Sequence, residues 1–154
     1  MRDPAARLAD AIKAVAGVLL VIVALVMAAV IVGRYVGFAT AWADEVARIA
    51  FIWSASLGAA SGTHRGLNFA IPLIATGRQG RTKQLLDSGI SLTMVALCGL
   101  MLWATLQSLP IANLARLPAL GVSGAWFHSA IVAFAVLTIA FMLIKVAALW
   151  RAPP

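Results

Sequence analysis

A chain of 154 residues that is 63% hydrophobic and only 11% charged carries more apolar surface than a water-soluble domain of that size could bury. Its net charge of +7 would suit a nucleic-acid binder, yet the cations are scattered between apolar stretches and form no aromatic-rich basic face. The chain therefore reads as an all-α integral membrane protein of four helices, one membrane domain over residues 1–154, with no separate catalytic domain and with lipid as its solvent.

Residues 14–33, 49–63, 88–115 and 117–144 contain no Lys, Arg, Asp or Glu. About 20 apolar residues in a helix cross the ~30 Å hydrocarbon core. The expected spans are about 12–34, 43–64, 86–107 and 125–149. Ahead of the first span, residues 1–13 form an amphipathic segment suited to the membrane surface, with Arg2, Arg7 and Lys13 partly offset by Asp3 and Asp10. A basic start before an apolar run resembles a secretory signal, but the run is long and no small-residue cleavage site precedes a polar segment. A retained first helix is expected. Arg34 and Tyr35 close that helix, and Trp42 opens the next at the interface.

Of the 12 Lys and Arg residues, nine lie before the first span, between the second and third, or after the fourth; Arg34 and Arg116 occupy the other two connections. The positive-inside bias then sets both termini in the cytoplasm. Cys98 is the lone cysteine, mid-span, and reads as packing.

In the second helix Ala50, Ser54, Gly58 and Gly62 recur every fourth residue and make a stripe of small side chains. Such stripes let helices approach closely, because association in lipid depends on packing and polar contacts. The stripe is expected to meet either the chain's own helices or a partner subunit. The following connection, with Leu67, Phe69, Ile71, Leu73 and Ile74 around Pro72, is too short an apolar run to span and suits the interface. The third connection, residues 107–125, should be a short surface helix or a partly immersed turn.

The densest polar cluster is Arg34, Asp44, Glu45 and Arg48, near the outer end of the first two helices. Asp44 and Arg48 are spaced for an i,i+4 pair, and Glu45 is placed to meet Arg34. A charge inside the hydrocarbon is costly enough to imply a role, here a structural clamp, a partner contact or transport chemistry. His64 and His128 fall at opposite membrane faces, so they cannot share one metal ion or haem; no catalytic residue, cofactor site or metal site is expected on this chain. The first span lacks the acidic residue a small proton-coupled efflux pump would need, and the third and fourth spans carry no charge within residues 88–115 and 117–144.

Ala41-Trp42-Ala43-Asp44-Glu45-Val46-Ala47-Arg48 resembles the Trp-x-x-Glu-(hydrophobic)-x-Arg opening of helix two in the small membrane (Q) subunit of the tripartite ATP-independent periplasmic (TRAP) transporters. Phe51-Ile52-Trp53, Leu57-Gly58-Ala59-Ala60, His64-Arg65-Gly66-Leu67-Asn68-Phe69 and Leu117-Pro118-Ala119-Leu120-Gly121-Val122 with Trp126 are similar to later segments of that family. Asn68 stands where the family has His, and Ser123 where Pro is common.

The resemblance implies a non-catalytic scaffold in a bacterial inner membrane, part of a Na⁺-coupled importer of organic anions such as carboxylates. It implies a large membrane (M) subunit that carries substrate and Na⁺, and a periplasmic substrate-binding (P) protein. On this reading Arg34, Trp42, Asp44, Glu45 and Arg48 shape an outer corner, while Ser54, Gly58 and Gly62 pack helices. His64, Arg65 and Asn68 line the cytoplasmic interface, and Arg116 is a candidate contact for the binding protein. The competing reading is an autonomous homo-oligomeric secondary transporter with Glu45 as its coupling carboxylate; a haem-bearing electron-transfer subunit is a third.

Overall fold

The computed structural model describes residues 4–37, 41–64 and 81–151. They form four α-helices: α1 (Pro4–Val36), α2 (Ala41–His64), α3 (Arg81–Leu114) and α4 (Ala125–Arg151). The expected segment around Leu67 to Ile74, together with Arg65 and Asn68, lies outside the described residues. Three helices are long and apolar enough to cross a membrane by themselves, within Ala5–Val36, Leu85–Leu114 and Ala125–Ala147. The second of the four expected spans is not among them. α2 has the length, at 24 residues, but Asp44, Glu45 and Arg48 occupy its first two turns.

The start of α1 follows the expectation that the amphipathic segment runs into the first span, whereas the end of α3 differs from it. α1 begins at Pro4, so the amphipathic leader is continuous with the span. Proline is well tolerated at a helix start, where its missing N–H would have no partner. α3 continues through Pro110 to Leu114 rather than stopping near residue 107, so Leu109, Ile111 and Leu114 belong to its last turns.

The principal packing runs α1 on α2, α2 on α4 and α4 on α3, which places α2 and α4 centrally. In lipid there is little hydrophobic gain from bringing two apolar helices together, so small residues and hydroxyl bonds decide which faces meet. On α2, Ala43, Ala47, Ala50, Ser54 and Ser61 are buried, and on α1 Ala9, Ala16 and Val30. The Ser54 hydroxyl donates to the Ala16 carbonyl at 2.8 Å, and the Ser61 hydroxyl to the Ala9 carbonyl at 3.0 Å. Seven residues down one helix match seven up the other, the register of an antiparallel pair. Ser54 and Gly58 of the small stripe thus face α1, within the chain. A Cβ on Gly58 would sit 4.0 Å from the Ala16 Cβ, ordinary contact, so the stripe is close without being strained.

α3 presents a second stripe to α4: Ser91, Cys98, Thr105 and Ala112, each seven residues apart and all buried. Ala130, Ala135, Thr138, Phe141 and Met142 are the buried residues of α4. A spacing of seven is the signature of helices that cross at about +20°. Ser91 and Thr105 return their hydroxyls to the carbonyls of Asp87 and Met101, both at 2.7 Å, and so enter the interface satisfied. Cys98 is one more small packing residue in this row.

Thr138 is different. It is wholly buried, and its hydroxyl has no partner among the described residues. An orphaned hydroxyl costs about 1–3 kcal/mol, and a valine of the same shape removes the cost. Thr138→Val should therefore leave thermal unfolding in detergent unchanged or raise its midpoint. Gly58→Leu should lower it, because the longer side chain pushes α1 away, while Gly58→Ala should behave like the native protein.

Candidate functional site

The site is built at the end of the bundle where α3 turns back into α4. Residues 115–124 fold as a tight hairpin. An isolated antiparallel bridge pairs Arg116 with Ser123, flanked by Gly124 N–H to the Ala115 carbonyl at 2.7 Å and Leu117 N–H to the Val122 carbonyl at 2.9 Å. At the tip, Gly121 N–H reaches the Leu117 carbonyl at 2.8 Å, which closes one helix-like turn over Pro118, Ala119 and Leu120. Gly121 ends it with φ at +66°, a conformation that favours glycine.

A single helical turn leaves its first N–H groups without internal partners. Pro118 has none to satisfy. Those of Ala119 and Leu120 are taken by one carboxylate from a distant helix: Glu45 Oε1 accepts from Ala119 at 3.0 Å and Oε2 from Leu120 at 2.8 Å. Glu45 therefore acts as a remote N-cap for the loop, and its negative charge lies against the positive end of that turn. Two turns farther along α2, the Trp53 indole N–H donates to the Trp126 carbonyl at 3.2 Å. The offset between bonded residues is nearly constant, 74 and 75 at Glu45 and 73 at Trp53, so α2 and α4 run parallel. Trp53 is level with the first turn of α4, and the earlier turns of α2 rise beyond it beside the hairpin.

The start of α4 is equally well tied. The Ser123 hydroxyl accepts from Ala125 N–H at 3.1 Å and lies 3.1 Å from Asn113 Oδ1. The flanking bridge bonds come from residues 117 and 124, so position 123 supplies no N–H to the hairpin. A Cβ on Gly124 would stand 3.1 Å from the Ala112 carbonyl oxygen and 3.2 Å from that of Ala115. Both are backbone atoms and cannot swing aside. The Arg116 guanidinium donates to the Gly121 carbonyl at 3.1 Å and otherwise stays exposed.

The expected polar cluster is rearranged by this geometry. Glu45 meets the α3–α4 connection rather than Arg34. Arg34, Asp44 and Arg48 are exposed, and no ion pair between Asp44 and Arg48 forms among the described residues. An i,i+4 pair on an open helix face gains only a few tenths of a kcal/mol, too little to hold two mobile side chains. Arg48 lies about 60° around α2 from Glu45 and points into the open. Trp42 is half-exposed at the start of α2. Ser54 and Gly58 meet α1, as above. His64 is the last residue of α2, whereas His128, at 3.4 Å from the Gly124 carbonyl, is in the first turn of α4. No cluster of three or more His, Cys, Asp or Glu suited to a metal occurs among the described residues.

Sequence reasoning singled out both the Trp42–Arg48 and the Leu117–Val122 segments but did not join them. The available signal was Pro118 ahead of two amides and a glycine, which reads as a helical turn in need of an acceptor.

Removing that acceptor should loosen the hairpin. Hydrogen bonds to a charged group contribute about 1.5–3 kcal/mol when shielded, less when partly exposed, so Glu45→Ala should lower stability by about 1–2 kcal/mol and Glu45→Gln by less. Gly124→Ala should cost about 1–3 kcal/mol by overpacking against backbone. Thermal unfolding of the purified variants tests both; native midpoints would reject the buttress.

Residues 22–152 match the family model described as tripartite ATP-independent periplasmic transporters, DctQ component. No curated protein matches the chain, and no solved structure does.

Proposed function

Since the chain belongs to the DctQ family, the small membrane component of the tripartite ATP-independent periplasmic transporters, we propose that it is a non-catalytic scaffold bracing the large membrane subunit of such a transporter. In this reading the large subunit moves an organic anion such as a carboxylate together with Na⁺, and the ion is held there rather than on this chain. The periplasmic substrate-binding protein docks at the end of the bundle that carries the hairpin, where Arg116 is exposed. The chain resides in a bacterial inner membrane with both termini cytoplasmic, as the distribution of Lys and Arg favours.

The observation that carries this reading is the engagement of Glu45. An autonomous carrier would need that carboxylate to bind and release a coupling cation. Instead both oxygens accept backbone N–H groups of the hairpin, a role that holds the carboxylate in one place. A coupling carboxylate that must be desolvated, loaded and reloaded is poorly served by such a task. The hydroxyls of Ser54 and Ser61 are likewise committed to holding α1 and α2 together.

Proteoliposomes provide the test. The chain alone should accumulate no labelled carboxylate under a Na⁺ or proton gradient, whereas vesicles holding it with the large subunit should do so once the binding protein and Na⁺ are added. Gradient-driven uptake by the chain alone, or full activity of a large subunit lacking it, would overturn the scaffold assignment. Arg116→Ala should weaken the binding protein's half-saturating concentration several-fold without changing assembly.

A further inference from the structure

A groove of about 620 Å³ runs along α2, walled by α1 on one side and by the hairpin and the start of α4 on the other. Val46, Trp53 and Leu57 form its floor, and Leu120, Val122 and Trp126 its second wall. Its side chains are apolar throughout apart from the two indole nitrogens, and that of Trp53 is already donating to the Trp126 carbonyl. Such a lining offers nothing to recognise a polar solute. It does fit a hydrocarbon.

Length and charge narrow the occupant. From Val46 to Leu57 the floor extends for about 16 Å at 1.5 Å per residue, close to the ~15 Å that one leaflet contributes to the hydrocarbon core. The groove starts beside the hairpin and runs toward the membrane interior. At its mouth stands a cation: the Arg116 guanidinium donates to the carbonyl of Gly121, which lies between the lining residues Leu120 and Val122. One bond uses one of five N–H donors, and the rest are free to meet a phosphate. An apolar channel one leaflet deep with a cation at its mouth matches a phospholipid, an apolar chain headed by an anionic phosphate.

We propose that the groove holds one acyl chain of a phospholipid from the leaflet on the hairpin side, with the lipid phosphate on Arg116. The lipid fills the space left because α2 rises past the start of α4, and it seals α1 to the hairpin.

Tryptophan quenching by bromine-labelled acyl chains reads this directly, because Trp53 lies in the floor. In the full chain with Trp42, Trp103, Trp126 and Trp150 replaced by Phe, reconstituted in phosphatidylcholine, brominated phosphatidylglycerol should half-quench Trp53 at a mole fraction at least threefold lower than it half-quenches Trp103 in the matching single-tryptophan protein. Trp103 is the reference because it is exposed on α3. Leu19→Phe, which fills the groove from α1, should abolish the preference, and Arg116→Gln, a surface change that leaves the groove intact, should move the Trp53 curve onto that of Trp103. Identical curves for the two tryptophans, or a preference that survives both substitutions, would refute the site. The same comparison in the assembled transporter, taken as the difference between native and Trp53→Phe complexes, should retain the quenching. Its loss there would show that another subunit occupies the groove, and would also overturn the proposal.

Discussion

One carboxylate holds the two halves of this molecule in register. α1 with α2, and α3 with α4, are each antiparallel hairpins whose small-residue faces explain their pairing. What fixes one hairpin against the other at this end of the bundle is Glu45, whose two oxygens take the free amides at the tip of the α3–α4 connection. The interaction is economical because each partner has a need. A helical turn begun by Pro118 has two amides to satisfy, and a glutamate near a membrane surface must stay solvated or paired. The indole of Trp53 adds a second fastening two turns away, and together they prevent α2 from sliding along α4.

The remainder follows from the weakness of helix association in lipid. With no solvent to expel apolar surface, the chain relies on close approach and on hydroxyl bonds that need no buried charge. Ser54 and Ser61 bond across to carbonyls of α1, whereas Ser91 and Thr105 bond back within α3 and enter the α4 interface as small apolar shapes. The two interfaces thus solve one problem differently. The first gains polar bonds between helices; the second gains a close seam of seven-residue spacing, at the expense of the orphaned Thr138 hydroxyl. Among the described residues the ionisable groups gather at the helix ends or on open faces, which is compatible with the scaffold role proposed above.

Helix number and the small-residue face of α2 were legible in the sequence because hydropathy and four-residue spacing act locally; the seven-residue seam of α3 emerged only from the structure. Ala50, Ser54 and Gly58 could be named as a packing face without knowing the partner, and the structure supplies α1. The end of α3 was misread because Pro110 looks like a stop, while the α-helix there continues for another turn. The charge cluster was misread for a deeper reason. Sequence spacing suggests pairs within a helix or between neighbours in the chain, so Glu45 was matched with Arg34, yet its partners are backbone amides more than seventy residues away. Backbone donors have no sequence identity. They could be found only by asking which turns leave amides unsatisfied, and Pro118 to Gly121 was such a turn.

Amide hydrogen exchange at the hairpin tip examines this arrangement most directly. With Glu45 in place, the N–H groups of Ala119 and Leu120 should exchange at least tenfold more slowly than in Glu45→Ala, while the Leu117 and Gly121 amides, bonded within the hairpin, change far less. Equal exchange of Ala119 and Leu120 in the two proteins would contradict the account, since the carboxylate would then be holding nothing.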